Sequence, residues 1–331
     1  MKPYLVDVPV KINIWTRPDL QRKQFEVIKQ ARPSILFIQS DGGRNEKEWE
    51  LIKMNRRMYD TEIDWDCEIH RLYEDINLGM YTMGKKVKEY IWERVDRCIF
   101  TEDDQIPSVS FFRYCAELLE KYKDDERIGA ICGNNVLTEY KDAEPFDYFF
   151  SEIGWSIWGI ATWKRAWSNN VFPLAYANDE YIKRCMADNM TPFWFKKVLH
   201  YTNGELFENH EPGDEYFHMA NSVLQHRLSI IPTKNMISNC GTEGEHAAKP
   251  DKNWFKGPDV YNLPTFEIDE LKHPLYVIDD KKFGRLYSAK LQHDRYGMKG
   301  VIYKICRFFD LLLHGTLINV IKRKMSRKIE K

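Results

Sequence analysis

Three carboxylates stand side by side at Glu102-Asp103-Asp104, directly after the apolar run Cys98-Ile99-Phe100. Neighbouring carboxylates at a strand end repel one another by an amount on the order of 1 kcal/mol when partly buried, and a divalent cation would relieve that repulsion. Hard oxygen ligands suit Mn2+ or Mg2+, which take one or two carboxylates from a protein and fill their shell with water and phosphate oxygens. The same triplet also fits a solvated acidic loop leading into a helix near Ser110, because carboxylates favour helix N-termini. A second acidic pair, Asp214-Glu215, follows Gly213 at the head of another helix-like stretch. Such an acid either caps the helix, worth about 1 kcal/mol, or accepts a proton from a reacting hydroxyl. Arg17 in Arg17-Pro18-Asp19 offers a planar fork of donors, and Asp41 in Ser40-Asp41-Gly42-Gly43 an acceptor; both residue types are equally ordinary in turns. His246, closing a loop rich in Gly, Asn and Glu, is either a neutral imidazole able to ligate Mn2+ or a solvated side chain.

The elements that must position these residues read as alternating strands and helices. Val10, Ile12 and Ile14 alternate, Leu20 to Gln30 carries a helical period, and Ile35 to Ile38 is a short apolar run suited to a buried parallel strand. The βα alternation continues through a helix at 46–59, a strand at 67–73, a helix at 81–93, a strand at 96–101 running into the acidic triplet, a helix at 110–122 and a strand at 128–132. Residues up to about 135 therefore read as a doubly wound, nucleotide-type sheet, whose strand ends carry Asp41 and the triplet. Beyond it lie Trp155, Trp158, Trp163 and Trp167, a helix at 215–225 and a strand at 228–232. Trp163 and Trp167 at i, i+4 spacing suit a helix packed on the core, whereas Trp155 or Trp158 suits an aromatic platform for a sugar face.

Composition narrows the class of partner. In 331 residues, Lys+Arg 49 balance Asp+Glu 50, so no whole-molecule field favours nucleic acid, and none is expected as a partner. The seven cysteines are scattered without CxxC spacing, which argues against a disulfide framework or zinc site and for a reducing compartment. Asp7, Pro9 and Lys11 interrupt the N-terminal apolar stretch, and no apolar run reaches the roughly 18 residues of a spanning helix, so a cytoplasmic location is expected.

Taken in order, several segments resemble GT-A glycosyltransferases. The triplet resembles their DXD-type motif, in the Glu-Asp-Asp form seen in N-acetylglucosaminyltransferase I. Val10 to Pro18 looks like their opening strand and Arg-Pro turn, and Ser40-Asp41-Gly42 like their second strand end. Leu78-Gly79, the Gly154 to Trp163 segment and Asn239 to His246 are similar to the bacterial hemolysin-like sugar-transferase branch of this fold. The resemblance covers about residues 8–246. It implies an α/β, Rossmann-like, mixed and mostly parallel sheet flanked by helices, with a C-terminal helical extension. Residues 1–260 would be the catalytic domain, with 8–135 its nucleotide-sugar half and 136–260 its acceptor half, and 261–331 the extension. It further implies that Arg17 and Asp41 lie against the nucleotide, Asp41 accepting from a uracil N–H, while Glu102 faces the donor sugar and Asp103 the ribose. Asp104 would hold Mn2+ or Mg2+, with His246 closing that site, and Asp214, or one register on Glu215, would be the general base.

The expectation is thus metal-dependent transfer of a sugar, with inversion, from a UDP-type nucleotide-sugar donor to a glycan or lipid-linked acceptor. A metal-dependent nucleotidyltransferase remains open, although it would want a Gly-rich phosphate loop that Arg17-Pro18-Asp19 lacks. A non-catalytic sugar- or membrane-interaction protein of the same fold also remains open. From Val301 onward, Ile302, Ile305, Phe308, Phe309, Leu312 and Leu313 recur near helical spacing ahead of Lys322-Arg323-Lys324 and Arg327-Lys328. That basic amphipathic stretch suits either a peripheral contact with the inner face of a membrane or docking on the rest of the chain.

Overall fold

Val8, Val10, Ile12 and Ile14 are buried in β1 (Val6–Ile14), and the residues between them from Pro9 to Lys11 are buried as well, as befits a central strand covered on both faces. In the computed structural model, residues 1–168, 179–202, 214–241 and 260–296 are described, together with 305 and 309. Pro18 starts α1 (Pro18–Ala31), where its fixed φ suits the first helical turn, and Arg32 ends it in the left-handed region at φ 47. β2 (Pro33–Ser40) returns parallel to β1, and α2 (Glu46–Thr61) follows, its first turn capped by Asn45 accepting from Glu48 N. β3 (Glu68–Tyr73), α3 (Met80–Trp92) and β4 (Arg97–Phe100) complete a parallel set in the order β3-β2-β1-β4.

After β4 come β5 (Gln105–Pro107), α4 (Ser110–Lys121), β6 (Ile128–Cys132), β7 (Tyr148–Ser151), β8 (Ile160–Trp163) and α5 (Lys164–Ser168). Then follow α6 (Glu180–Asn189), α7 (Pro192–Thr202), α8 (Asp214–Leu224), β9 (Leu228–Pro232), β10 (Ile237–Asn239) and α9 (Lys281–Tyr296). The main sheet runs β3-β2-β1-β4-β8-β6-β9-β7. β8 enters antiparallel between β4 and β6, β9 pairs parallel with β6, and β7 closes the edge antiparallel. The fold is therefore the mixed, mostly parallel α/β sheet flanked by helices that the sequence implies.

Two details correct the sequence reading. β6 does not continue the parallel set from β4, because the later strand β8 is wedged between them. The four-residue β8 sits in the tryptophan-rich stretch and ends at Trp163, whose Nε1 donates to Leu119 O at 3.0 Å. Trp163 is indeed a core residue, but on a strand; only Trp167 lies on a helix, the short α5, so the i, i+4 spacing spans a strand–helix junction.

Phe25 of α1 and Phe111, Phe112 and Leu118 of α4 fill one core against β1, β4 and β8. Each such side chain contributes about 1.5–3 kcal/mol on burial. A second core gathers Phe149 of β7, Ile231 of β9, Trp194 of α7, Val223 of α8 and Phe283 of α9. α9 is thus packed into the molecule, while the basic stretch expected from Val301 onward lies outside the described residues apart from 305 and 309. Among the described residues no helix is long and apolar enough to cross a membrane.

Candidate functional site

The acidic triplet leaves β4 at the carboxyl edge of the parallel set and is pinned from below by amides of α1. Gln21 and Gln24, both without solvent exposure, donate to the backbone: Gln21 to Asp103 O at 3.3 Å, and Gln24 to Glu102 O and Gln105 O at 2.7 and 2.8 Å. Gln105 ties the turn to its surroundings, with its Oε1 accepting from Gly159 N at 2.9 Å and its Nε2 donating to Glu102 Oε2 at 3.2 Å. β5 and β10 pair antiparallel across this turn, and Cys240 N donates to Asp104 O at 2.8 Å. This lays Gly241 directly against the carboxylate, where a Cβ would stand 2.0 Å from Asp104 Oδ2. Any larger residue there would have to push the Asp104 carboxylate aside.

Arg17, at the turn between β1 and α1, reaches across to two of the three carboxylates. Its NH1 donates to Asp103 Oδ1 and Oδ2 at 2.8 and 2.9 Å and to Asp104 Oδ2 at 3.3 Å. The cation that the triplet calls for is thus supplied in part by the chain itself, and Arg17 lies against the carboxylates rather than in open solvent. Among the described residues Asp104 Oδ1 is left buried with no hydrogen-bond partner. Burial pushes the Asp103 carboxyl up to about 6 and outweighs the opposing pull of Arg17; burial raises Asp104 too, again against Arg17.

Asp41, at the end of β2, is 9% exposed and fully engaged. Its Oδ1 accepts from Gly42 N and Leu78 N at 2.9 and 2.8 Å, and its Oδ2 from Gly79 N and Asn77 Nδ2 at 2.8 and 3.3 Å. A carboxylate has about four lone-pair sites, so the role expected for Asp41, accepting from a base N–H, has no acceptor left. The reason is local: the chain at 76–79 folds back onto the β2 end so closely that a Cβ on Gly42 would lie 2.4 Å from Ile76 C. Asp41 is the knot of this loop. Arg56 secures it from α2 by donating to Ser40 O, Asp41 O and Glu74 O at 3.0, 3.2 and 2.8 Å.

Glu102 opens on a cavity of about 90 Å3 that lies on the sheet face between β4, β8 and α8. Phe100 and Ile160 form its sheet side, Trp155 and Trp167 its aromatic walls, and His218 and Asn221 of α8 its roof. The His218 ring is held between the two indoles, with centroids 5.0 Å from Trp155 and 4.5 Å from Trp167. Lys88 of α3 sits over Trp167 at 4.5 Å, and Lys11 of β1 is buried at the base. Sequence reasoning had singled out Trp155, which lines this cavity, and Trp158, which instead packs on Tyr261 at 5.3 Å. It missed Lys11, Lys88, His218 and Asn221. Lys11 did leave a signal: a charged residue flanked by Val10 and Ile12 in a strand buried on both faces.

Asp214 and Glu215 are the first two residues of α8, and their side chains lie outside the described residues. The spacing from Asp214 to His218 puts both positions on one helix face. His246 lies outside the described residues. Among the described residues no group of three or more His, Cys, Asp or Glu could hold a metal ion. A hard divalent ion nevertheless fits the donor set, since it needs only one or two protein carboxylates and Asp104 offers a partnerless oxygen.

No family model matches the chain. Among curated proteins it is similar to the abortive phage resistance protein AbiGi of Lactococcus lactis subsp. cremoris, at 23% identity over 185 residues, covering 54% of this chain and 71% of that protein. Among solved structures it is similar to the mannosyltransferase PcManGT from Pyrobaculum calidifontis, solved in complex with GDP-Man and Mn2+. The TM-score is 0.35 and the identity 9%, over 66% of this chain and 72% of that one. It is also similar to mouse xyloside xylosyltransferase 1 in its apo form, at a TM-score of 0.34 and 11% identity, over 68% of this chain and 84% of that one.

Proposed function

We propose that the chain is a metal-dependent GT-A glycosyltransferase of the hemolysin-like branch, using a nucleotide diphosphate sugar, UDP-linked, as donor. The acceptor is a hydroxyl of a glycan or glycolipid, and the sugar moved is a hexose or N-acetylhexosamine, with inversion. The observation that carries the reading is the junction at the triplet: Asp104 presents a partnerless oxygen, and two residues earlier Glu102 opens on an aromatic-walled cavity. An anion-and-metal edge thereby meets an aromatic-walled hollow.

Residue by residue, Asp104 would hold the ion, with His246 as its second protein ligand, and Asp103 with Arg17 would face the ribose and diphosphate. A divalent ion bound there supplies Lewis-acid stabilisation to the leaving diphosphate oxygen. Trp155 would present its face to sugar C–H groups while Glu102 accepts from sugar hydroxyls. Asp41 would act indirectly, by fixing the loop under the nucleotide. Asp214, with Glu215 one register on, would take the acceptor hydroxyl proton from the N-terminal end of α8. A cytoplasmic setting, with the basic C-terminal stretch against the inner face of a membrane, belongs to the same reading.

The test is a panel of nucleotide sugars assayed for slow hydrolysis with and without Mn2+, which needs no acceptor. Release of a free nucleoside diphosphate that depends on Mn2+ and is lost in Asp104→Ala supports the reading. Release of pyrophosphate would favour attack at phosphorus, and turnover undiminished in Asp104→Ala would remove that residue from the mechanism.

A further inference from the structure

We propose that Arg17 is a resident counter-cation of the acidic edge, so that a divalent ion and a nucleoside diphosphate bind with positive coupling set by this one side chain. The inference rests on the reading of Asp104 as metal ligand given above. It concerns what must happen to Arg17 when that ligand is used.

In the free protein a single guanidinium nitrogen serves both Asp103 oxygens and Asp104 Oδ2. It does so in partial shelter, with side-chain exposures of 27% for Arg17, 13% for Asp103 and 16% for Asp104. Such a pair is screened far less than one in open water. A divalent ion arriving at Asp104 brings a second positive charge to an oxygen that is already shared with a guanidinium. The two cations repel, so the ion alone binds against the field of Arg17. Arg17 is the N-cap residue of α1 by its backbone, with no side-chain capping bond. A diphosphate offers the guanidinium anionic oxygens, as the two aspartates do, but in a pair that its planar fork can match. Once Arg17 turns to the phosphates, the carboxylates are relieved of their competitor, and ion and nucleotide each strengthen the other. By linkage the coupling is the same in both directions.

Mn2+ binding followed by the EPR signal of free Mn2+, and UDP binding followed by titration calorimetry, read this without any catalytic turnover. Wild-type protein is expected to bind Mn2+ weakly alone and at least about tenfold more tightly in the presence of UDP, within the usual range of coupling between sites. In Arg17→Gln, Mn2+ alone should bind several-fold more tightly than to wild type, because two facing carboxylates have lost their cation. The enhancement by UDP should shrink. Arg17→Lys, which keeps the charge and loses the fork, should keep the weak Mn2+ binding and lose part of the UDP enhancement. Far-UV circular dichroism and thermal melts on each variant establish that it is folded, and Asp104→Asn should bind little Mn2+ in either background. If Arg17→Gln, folded, binds Mn2+ alone no more tightly than wild type while UDP still binds, the counter-cation role is overturned and the proposed function stands. If wild type binds neither UDP with Mn2+ nor GDP with Mn2+, the proposed function itself falls.

Discussion

Asp104 is confined on three sides: Arg17 on one oxygen, Cys240 N on its backbone carbonyl, and Gly241 packed against the carboxylate. An added methyl at Gly241 would have to displace the very oxygen that Arg17 holds. Gly241→Ala is therefore expected to cut Mn2+-stimulated donor hydrolysis by at least about tenfold, each 1.4 kcal/mol of lost transition-state stabilisation being a factor of ten. Because Gly241 is itself buried, some thermal stability should be lost as well, and activity is compared on protein shown to be folded; unaltered metal stimulation would show that the carboxylate is not used where it now lies. A second residue-scale prediction concerns Glu152, whose carboxyl burial and the nearby Asp279 push up to about 7 from 4.5. The native state then holds a proton that the unfolded chain has released across that interval. The Glu152 contribution to stability is therefore present at low pH and lost as pH rises through about 7. Glu152→Gln keeps a neutral group in place, so its melting temperature should match wild type near pH 4.5 and exceed it near pH 8. Parallel melting curves for the two proteins across that range would contradict it.

At the scale of elements, the site is built from strand ends and one helix. α8 carries His218 and Asn221 into the cavity roof and has Asp214 at its head, so a single helix links the proposed base to the aromatic-walled cavity. Asp214→Asn should abolish transfer while leaving UDP binding with Mn2+ within about twofold, the signature of a group that acts only in the transition state. Loss of donor binding instead would make Asp214 a structural cap. The β2–α2 loop makes a different prediction. Asp41→Asn replaces an oxygen acceptor by a donor that faces backbone N–H groups, and leaving buried donors unpaired costs about 1–3 kcal/mol each. The melting temperature should fall and nucleotide affinity with it; a fall in affinity alone would restore a direct contact for Asp41. Elements also explain what was legible in the sequence. β1, β2, β4, β6 and β9 announce themselves as apolar runs, and α1, α2 and α4 by their period. β7 and β8 are four residues each, entirely buried and without alternation, and β8 is embedded in tryptophans at helical spacing. β5 and β10 are three residues each and exist through their mutual pairing. The triplet and Arg17 were legible as chemistry because their residue types are costly to cluster. That Arg17 would lie on the triplet was not, since 86 residues separate it from Asp103.

At the scale of the molecule, the antiparallel insertion of β8 and the pairing of β6 with β9 bind early and late sequence into one sheet, and α9 completes its second core. Phe283 of α9 has no solvent exposure and packs on Phe149 of β7 at 4.7 Å and on Tyr140 at 5.3 Å. Asp280 fixes the helix start by accepting from Phe283 N at 3.0 Å and from the Tyr140 hydroxyl at 2.9 Å. The same core includes Phe217 and Val223 of α8, so the seat of α9 and the placement of the cavity roof share their support. Phe283→Ala should therefore cost about 3–5 kcal/mol through lost burial and the cavity left behind. Because the core is continuous with the sheet, the loss should appear as a lowered urea midpoint for the main unfolding transition, with Trp fluorescence and far-UV circular dichroism falling together at unchanged slope. Were α9 an appendage, the main transition would keep its midpoint and only a small early phase would be lost. Substrate binding separates the two outcomes again: with α8 and α9 sharing that core, the variant should lose affinity for the proposed donor sugar more than for the nucleoside diphosphate, whose proposed partners lie at the strand ends.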